Sequence, residues 1–149
     1  MSKKFIFILF LVPWIYCTAA ERKITIPKNC DSFNSCYKKS ESTDIYRNKI
    51  RYLDGALEYW RTTDGEDVMV KALLERATYL VKEAGGDTGY KGSDMNLKVS
   101  HKKEYKETSY SAAIQDITDA LKYKSSMNKE DQDSAKNLLK LATNLLDSL

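Results

Sequence analysis

Cys30 and Cys36 are the residues with the most definite chemistry in this sequence. Six positions along a continuous helix rise about 9 Å, which is more than the Cα separation that a disulfide tolerates. A bridge therefore requires Cys30 to precede the helix that holds Cys36, or that helix to be broken, and Pro27 and Asn29 favour such an irregular entry. The alternative is two separate thiols, but a metal or redox role lacks the CxxC spacing and a nearby histidine.

Residues that could carry out catalysis are few. His101 is the only histidine, so any Cys/His or Ser/His/Asp site would depend on it, and Glu104 one turn later is expected to be its surface partner. Asp116 and Asp119 share one face of a predicted helix, opposite its apolar stripe, where solvated charge is expected. We therefore predict no enzymatic activity and no metal, nucleotide or haem cofactor.

The first twenty residues have the order of a secretory signal peptide. Lys3 and Lys4 precede an apolar run over 5–16, and small residues up to Ala20 complete the pattern. The run is shorter than the roughly 20 residues that a membrane-spanning helix needs. We expect cleavage after Ala20, with 21–149 exported as one domain to a bacterial periplasm or to the extracellular space and with no stable membrane span.

The net charge after that cleavage indicates little about partners. The 24 basic residues of the chain fall to 22 without Lys3 and Lys4, against 21 acidic ones. Acidic residues are mixed with basic ones throughout, whereas nucleic-acid binding favours Lys and Arg clustered on one face. We expect no nucleic-acid partner.

Apolar residues spaced by three and four positions predict an all-α fold. The first two stripes are Tyr46, Ile50, Leu53, Leu57 and Trp60, and then Val70, Leu73, Ala77, Leu80 and Ala84. Similar stripes return at offsets of 64 and 65, as Tyr110, Ile114, Ile117 and Leu121, and as Ala135, Leu138, Ala142, Leu145 and Leu149. One extra residue in the second inter-helix loop accounts for the change of offset.

The repeated stripes indicate an internal duplication. A weaker helix precedes each pair, over 30–40 and over 94–105. We therefore predict two copies of a roughly 64-residue three-helix unit, 30–86 and 94–149, joined by a glycine-rich linker over 85–93. Stacked helical hairpins and a compact helical bundle both fit this pattern.

The central helix of each copy resembles the second helix of a tetratricopeptide repeat. The resemblance is carried by Tyr46-x-x-Lys49-Ile50-x-x-Leu53-x-x-Ala56-Leu57 and by Tyr110-x-x-Ala113-Ile114-x-x-Ile117-x-x-Ala120-Leu121. It covers about half of the chain after residue 20, and the period departs from the roughly 34 residues of that family. Lys49 also stands where the family has a small residue, and no proline closes either unit.

The resemblance implies a scaffold whose concave face, lined by the first helix of each hairpin, holds a protein or peptide. Carried over to this chain, the partner-binding face comprises Asn34, Tyr37, Lys38, Lys98, His101 and Lys102. The alternative is that these residues simply pack or meet solvent. We predict an exported, non-enzymatic helical-repeat adaptor. The alternatives are a small inhibitor or immunity protein of the same compartment, and a small hydrolase with dispersed acidic residues.

Aromatic and leucine-rich surfaces are the other features suited to binding. Tyr46 and Tyr110 lie on the stripes and are expected in the core, while Tyr52, Tyr59 and Tyr123 lie off centre, where a ring packs and still offers its hydroxyl. Leu145, Leu146 and Leu149 end the chain with an apolar stripe. That stripe either closes the last hairpin or docks a partner or a second copy, so a homo-oligomer is a further possibility.

Overall fold

The computed structural model describes residues 24–89 and 102–149, and the fold formed by these two ranges is all-helical. The helices are α1 (Phe33–Glu41), α2 (Tyr46–Tyr59), α3 (Glu66–Ala84), α4 (Lys103–Lys122) and α5 (Lys129–Asp147), with short 3-10 turns at Thr62–Asp64 and Lys124–Ser126. The predicted all-α fold class is confirmed. In the described ranges, no helix has the length and apolar character needed to cross a bilayer.

The five helices pack in the order in which they follow one another along the chain. α1 packs on α2, α2 on α3, α3 on α4 and α4 on α5, whereas α3 and α5 make few contacts. This arrangement is a stack of antiparallel hairpins. Because α3 and α5 both pack on α4 but barely on each other, a groove separates them.

The predicted stripes form the core. Leu53, Leu80 and Ile117 are the largest side chains that are fully buried. Alanines without solvent exposure lie between the helices, at Ala56, Ala72, Ala77, Ala84, Ala113, Ala120 and Ala142. Their small side chains allow the helices to approach closely.

The cysteine pair closes the N-terminal end of the stack. Cys30 lies three residues before the start of α1 and Cys36 lies within it, with Cα atoms 5.1 Å apart and sulfurs at disulfide distance. Of the two arrangements that a bridge allows, the structure has Cys30 before the helix, and the helix predicted over 30–40 begins at Phe33. The pair packs on Gly55 of α2, where a Cβ atom would lie 3.0 Å from the Cys36 sulfur. Because glycine has no side chain at this position, α1 and α2 can pack closely.

The end predicted at Tyr105 for the helix over 94–105 is wrong. Tyr105 lies in the first turns of α4, which is one continuous helix, and the upstream part of the predicted helix, over 94–101, is outside the described residues. The break between α1 and α2 is stabilised by a tertiary contact, since the Tyr46 amide donates to the Thr88 carbonyl at 2.9 Å. The corresponding stretch, 106–109, begins with Lys106 and Glu107, which are strong helix formers.

The predicted end of the second hairpin helix is confirmed by two glycines. α3 stops at Ala84 and Gly85 caps it. Gly86 follows with a φ of 102°, a conformation that favours glycine. The part of the predicted linker over 90–93 lies outside the described residues.

Candidate functional site: two grooves along the third helix

A groove of about 590 Å³ runs between α3 and α5, and we call it the acidic groove. Its apolar floor consists of Val70, Leu74, Met127, Ala135 and Leu138. Four of these residues lie on α3 or α5 at helical spacing, and Met127 lies in the turn that leads into α5. A volume of this size is typical of ligand-binding clefts.

The rim of the acidic groove is mainly negative. Asp67, Glu75 and Asp131 supply carboxylates, and Lys71 supplies the one cation among its lining residues. Lys71 Nζ lies 4.0 Å from Glu75 Oε1, four residues along the same helix. In the described residues, Asp67 and Asp131 have no cationic side chain within ion-pair distance. A basic group of a partner would therefore be attracted to this rim.

Tyr37 of α1 contacts two residues on the rim of the acidic groove. Its hydroxyl donates to Glu75 Oε1 at 2.8 Å, and its ring stacks on Phe33 with centroids 5.6 Å apart. Lys71 Nζ lies 5.4 Å from the centroid of the same ring. Burial and the hydrogen bond to Glu75 raise the pKa of Tyr37 far above its usual range, so the phenol stays protonated. α1 thus holds two rim residues in place.

A second depression, of about 470 Å³, lies among α2, α3 and the start of α4, and we call it the basic cleft. Ile50 and Leu80 form its floor. Arg47, Arg51 and Lys102 line it as cations, and Glu83 and Glu104 line it as carboxylates.

Glu83 is the buried charge of the basic cleft, with 3% of its surface exposed. Its Oε1 accepts from Arg47 Nε at 2.8 Å, and its Oε2 accepts from the Tyr105 hydroxyl. Burial, followed by the hydrogen bond to Glu83, raises the pKa of Tyr105 to about 12. In the described residues, Arg51 and Lys102 have no carboxylate within ion-pair distance. The cleft therefore keeps unneutralised positive charge.

A buried ion cluster connects three helices at the centre of the stack. Arg76 of α3 binds both carboxylate oxygens of Asp116, at 2.6 and 2.8 Å, and Asp54 Oδ1 at 3.0 Å. The pKa of Arg76 is lowered by burial, but the bonds to Asp116 and Asp54 outweigh that effect and raise it. The cluster fixes α3 against α2 and α4.

The solvated position predicted for Asp116 is wrong, because only 4% of it is exposed. Asp119 stays nearer the surface, where it binds Lys122 at 2.6 Å. The two carboxylates therefore lie in different environments and do not form a catalytic pair. Asp116 immediately precedes Ile117 of the apolar stripe, and α3 covers that side of α4 as well, through Arg76.

The residues of the predicted partner-binding face are distributed over different surfaces. Asn34 and Lys38 are exposed on α1, and Tyr37 between them is half-buried beside the acidic groove. Lys102 precedes α4 and lines the basic cleft. Lys98 and His101 lie outside the described residues.

The predicted tyrosine positions hold with one exception. Tyr110 is buried, as expected, whereas Tyr46 is only half-buried and packs on Tyr79 with ring centroids 5.1 Å apart. Tyr52, Tyr59 and Tyr123 are half-buried as well, at the boundary where the pattern placed them. Sequence reasoning missed Arg76, Glu83 and Arg51, since each of them lies off the apolar stripes.

Neither a search for metal-binding groups nor comparison with known proteins adds a further site. The two described ranges contain no group of three or more His, Cys, Asp or Glu side chains that could hold a metal ion. Comparison with known protein families, with curated proteins and with solved structures finds no match for this chain.

Proposed function

We propose that this chain is an exported, non-enzymatic helical adaptor that holds an amphipathic helix of a partner protein in the acidic groove. The observation that carries the proposal is the groove itself, where α3 and α5 leave an apolar floor between them. Export is supported by the signal-like N-terminus and by Cys30 and Cys36 at disulfide distance, since disulfides persist in oxidising compartments.

The shape of the groove favours a helix as its occupant. Both long walls are helices, and the lining residues on α3 run from Asp67 to Thr78, which is about three turns of helix. A partner helix of similar length can place residues at i, i+3, i+4 and i+7 on such a floor. Apolar burial then supplies most of the affinity, at roughly 25 cal/mol per Å² of apolar surface removed from water.

The charge of the rim favours basic residues along the edge of that helix. Asp67 and Asp131 lie at the N-terminal end of the groove on opposite walls, one on α3 and the other on α5. A lysine or arginine on the partner can reach either carboxylate from the surface. Such contacts contribute modestly to affinity but raise the association rate and select against acidic partners.

Leu141 extends the apolar surface beyond the groove. It lies on α5 three residues after Leu138, so the two side chains are neighbours on the helix surface. Leu141 is 48% exposed and is one of two large hydrophobic residues exposed to this degree in the described ranges. An exposed leucine beside an apolar groove is a natural contact for a partner.

Synthetic peptides test this proposal directly. A panel of twelve-residue amphipathic peptides shares one leucine stripe and carries lysine, glutamine or glutamate along its edge, and fluorescence polarisation measures the affinity of each. We expect the lysine peptide to bind tightest and the glutamate peptide weakest. Equal affinity for all three, or no saturable binding, contradicts the proposal.

A matched pair of variants identifies the binding surface. Leu141→Glu introduces a charge beside the groove and is expected to weaken binding of the lysine peptide at least tenfold. Ile24→Glu makes the same change at a residue of nearly equal exposure, 49%, in the segment that precedes α1, and should leave binding unchanged. Equal effects of the two substitutions would place the peptide elsewhere.

The buried ion cluster supports a binding role over the hydrolytic alternative. Both carboxylate oxygens of Asp116 are bonded to Arg76, so this carboxylate is not presented to a substrate. A hydrolase that used Asp116 would show turnover that is lost in Asp116→Asn, whereas the adaptor proposal predicts no turnover by the wild-type protein.

A further inference from the structure

We propose that the basic cleft is a separate binding site for a small molecule that carries an oxyanion, a carboxylate or a phosphate, on a compact apolar body. The cleft lies on the α2 and α4 side of α3 and shares no lining residue with the acidic groove. The proposal is therefore independent of the adaptor function, and either can hold when the other fails.

The positive charge of the cleft is available to a ligand. Arg47 and the Tyr105 hydroxyl both bond to Glu83, so the buried carboxylate is already compensated within the protein. Arg51 and Lys102 remain at the mouth of the cleft, without an acidic partner in the described residues. These two cations outweigh Glu104, the second carboxylate that lines the cleft, so they attract an oxyanion and can donate charge-assisted hydrogen bonds to it.

The walls of the cleft are held in place before a ligand arrives. Glu83 connects α2 to α4 through Arg47 and Tyr105, and the Tyr105 hydroxyl also interacts with the buried hydroxyl of Ser109. A cavity whose polar walls are already bonded loses little conformational entropy on binding.

The size and floor of the cleft define the class of ligand. A volume of about 470 Å³ suits a small molecule. Ile50 and Leu80, together with the aliphatic stems of the arginines, offer apolar contact to the body of the ligand. A polyanion such as a nucleic acid would require a longer track of cations than Arg51 and Lys102 provide.

Four probes test the proposal on the chain from residue 21 to residue 149. Hexanoate and hexyl phosphate each combine an oxyanion with an apolar chain, hexanol lacks the charge, and inorganic phosphate lacks the chain. We expect saturable binding of hexanoate, hexyl phosphate or both in calorimetric titrations, with amide chemical-shift changes at Arg51 and Leu80. The tighter of the two identifies the oxyanion. The proposal is overturned if neither binds, if hexanol binds as tightly, or if inorganic phosphate binds as tightly as hexyl phosphate.

Substitutions of Arg51 and Lys102 complete the test. Arg51→Gln and Lys102→Gln are each expected to weaken binding about tenfold, because each removes one charge-assisted hydrogen bond. Lys140→Gln changes an exposed lysine on α5 and should leave the affinity unchanged. Affinity that is unchanged in both cleft variants overturns the proposal. Leu141→Glu reports on the acidic groove alone and is expected to have no effect on these probes.

Discussion

The acidic groove and the basic cleft lie along the same helix, and they compensate their carboxylates in different ways. In the acidic groove, Asp67 and Asp131 occupy the first turns of α3 and α5, where the helix dipole stabilises negative charge without a cation. In the basic cleft, Glu83 is buried in the last turn of α3, where the dipole opposes it. Glu83 therefore requires Arg47 and Tyr105. Exposure and helix position act together: Asp67 and Asp131 are exposed at helix N-termini and stay available to a partner, whereas Glu83 is buried near a helix C-terminus and is neutralised internally.

The two sites also share one kind of hydrogen bond. A tyrosine hydroxyl from a neighbouring helix donates to a glutamate of α3 in each of them, as Tyr37 to Glu75 and as Tyr105 to Glu83. The glutamates differ in burial, since Glu83 has 4% of its side chain exposed and Glu75 has 30%. The following substitutions test whether the two sites are independent and how far they differ.

The largest expected effect is a loss of folding stability in Arg76→Met, which would disrupt both sites together. The substitution leaves Asp54 and Asp116 buried without their shared cation, which typically costs about 3–5 kcal/mol. Urea unfolding followed by circular dichroism measures the change. Arg51→Met, at an exposed arginine of α2, is the control and should lie within about 0.5 kcal/mol of wild type. A loss below about 1 kcal/mol for Arg76→Met would show that the cluster is not the link between the helices.

Gly55→Ala is expected to weaken binding at one of the two sites only. The added Cβ would lie 3.0 Å from the Cys36 sulfur and 3.3 Å from Pro27 Cδ, so α1 must shift away from α2. Overpacking of this kind costs about 1–3 kcal/mol. Because α1 carries Tyr37, binding of the lysine peptide should weaken while binding of oxyanions in the basic cleft is retained.

A double-mutant cycle checks the cause of that effect. In a Cys36→Ala background the closest contact of the new methyl group is gone, so Gly55→Ala should cost less stability than in wild type. Equal costs in the two backgrounds would assign the strain to Pro27 or to Cys30 instead.

Removal of the two tyrosine hydroxyls compares how much each hydrogen bond contributes to the free energy of unfolding. Tyr105→Phe is expected to destabilise the protein by about 1–2 kcal/mol, because Glu83 loses a donor in a buried position. Tyr37→Phe should cost about 0.5 kcal/mol, since water can reach the more exposed Glu75. Thermal and urea unfolding of the two variants give this order, and the reverse order would contradict the comparison.

An effect of similar size is expected at alkaline pH, as a loss of stability. The pKa of Tyr105 is raised to about 12 in the folded protein, against about 10 for an exposed tyrosine. Because the folded pKa is the higher one, the contribution is complete below pH 10 and is lost as the pH rises towards 12. Partial solvent exposure reduces this contribution to about 1 kcal/mol. Unfolding midpoints of wild type and Tyr105→Phe should converge over this range, and parallel curves would contradict the assignment.

The apolar stripes account for most of what could be predicted about the fold. Leu53, Leu80 and Ile117 were placed in the core by spacing alone, since residues three and four apart share one face of a helix. The length of a disulfide against the rise of a helix required Cys30 to precede the helix or the helix to be broken, and the structure has the first arrangement.

The stripes could not predict the two grooves or the buried cluster, because a single stripe describes a helix with one neighbour. α3 packs on both α2 and α4, so Arg76 and Glu83 are covered although they lie off its stripe. The beginning of α4 was also misplaced, because the break between α1 and α2 depends on the contact of Tyr46 with Thr88.

Local spacing by itself determined most of the helices, the face that each one buries first and the limits on a bridge between the two cysteines, since these depend on interactions between residues near one another in the chain. The tertiary structure decided which charges are shared, as in Asp54, Arg76 and Asp116, and which remain available, as in Asp67 and Arg51. Those outcomes depend on which second neighbour each helix acquires, and that neighbour is specified only when all the helices pack together.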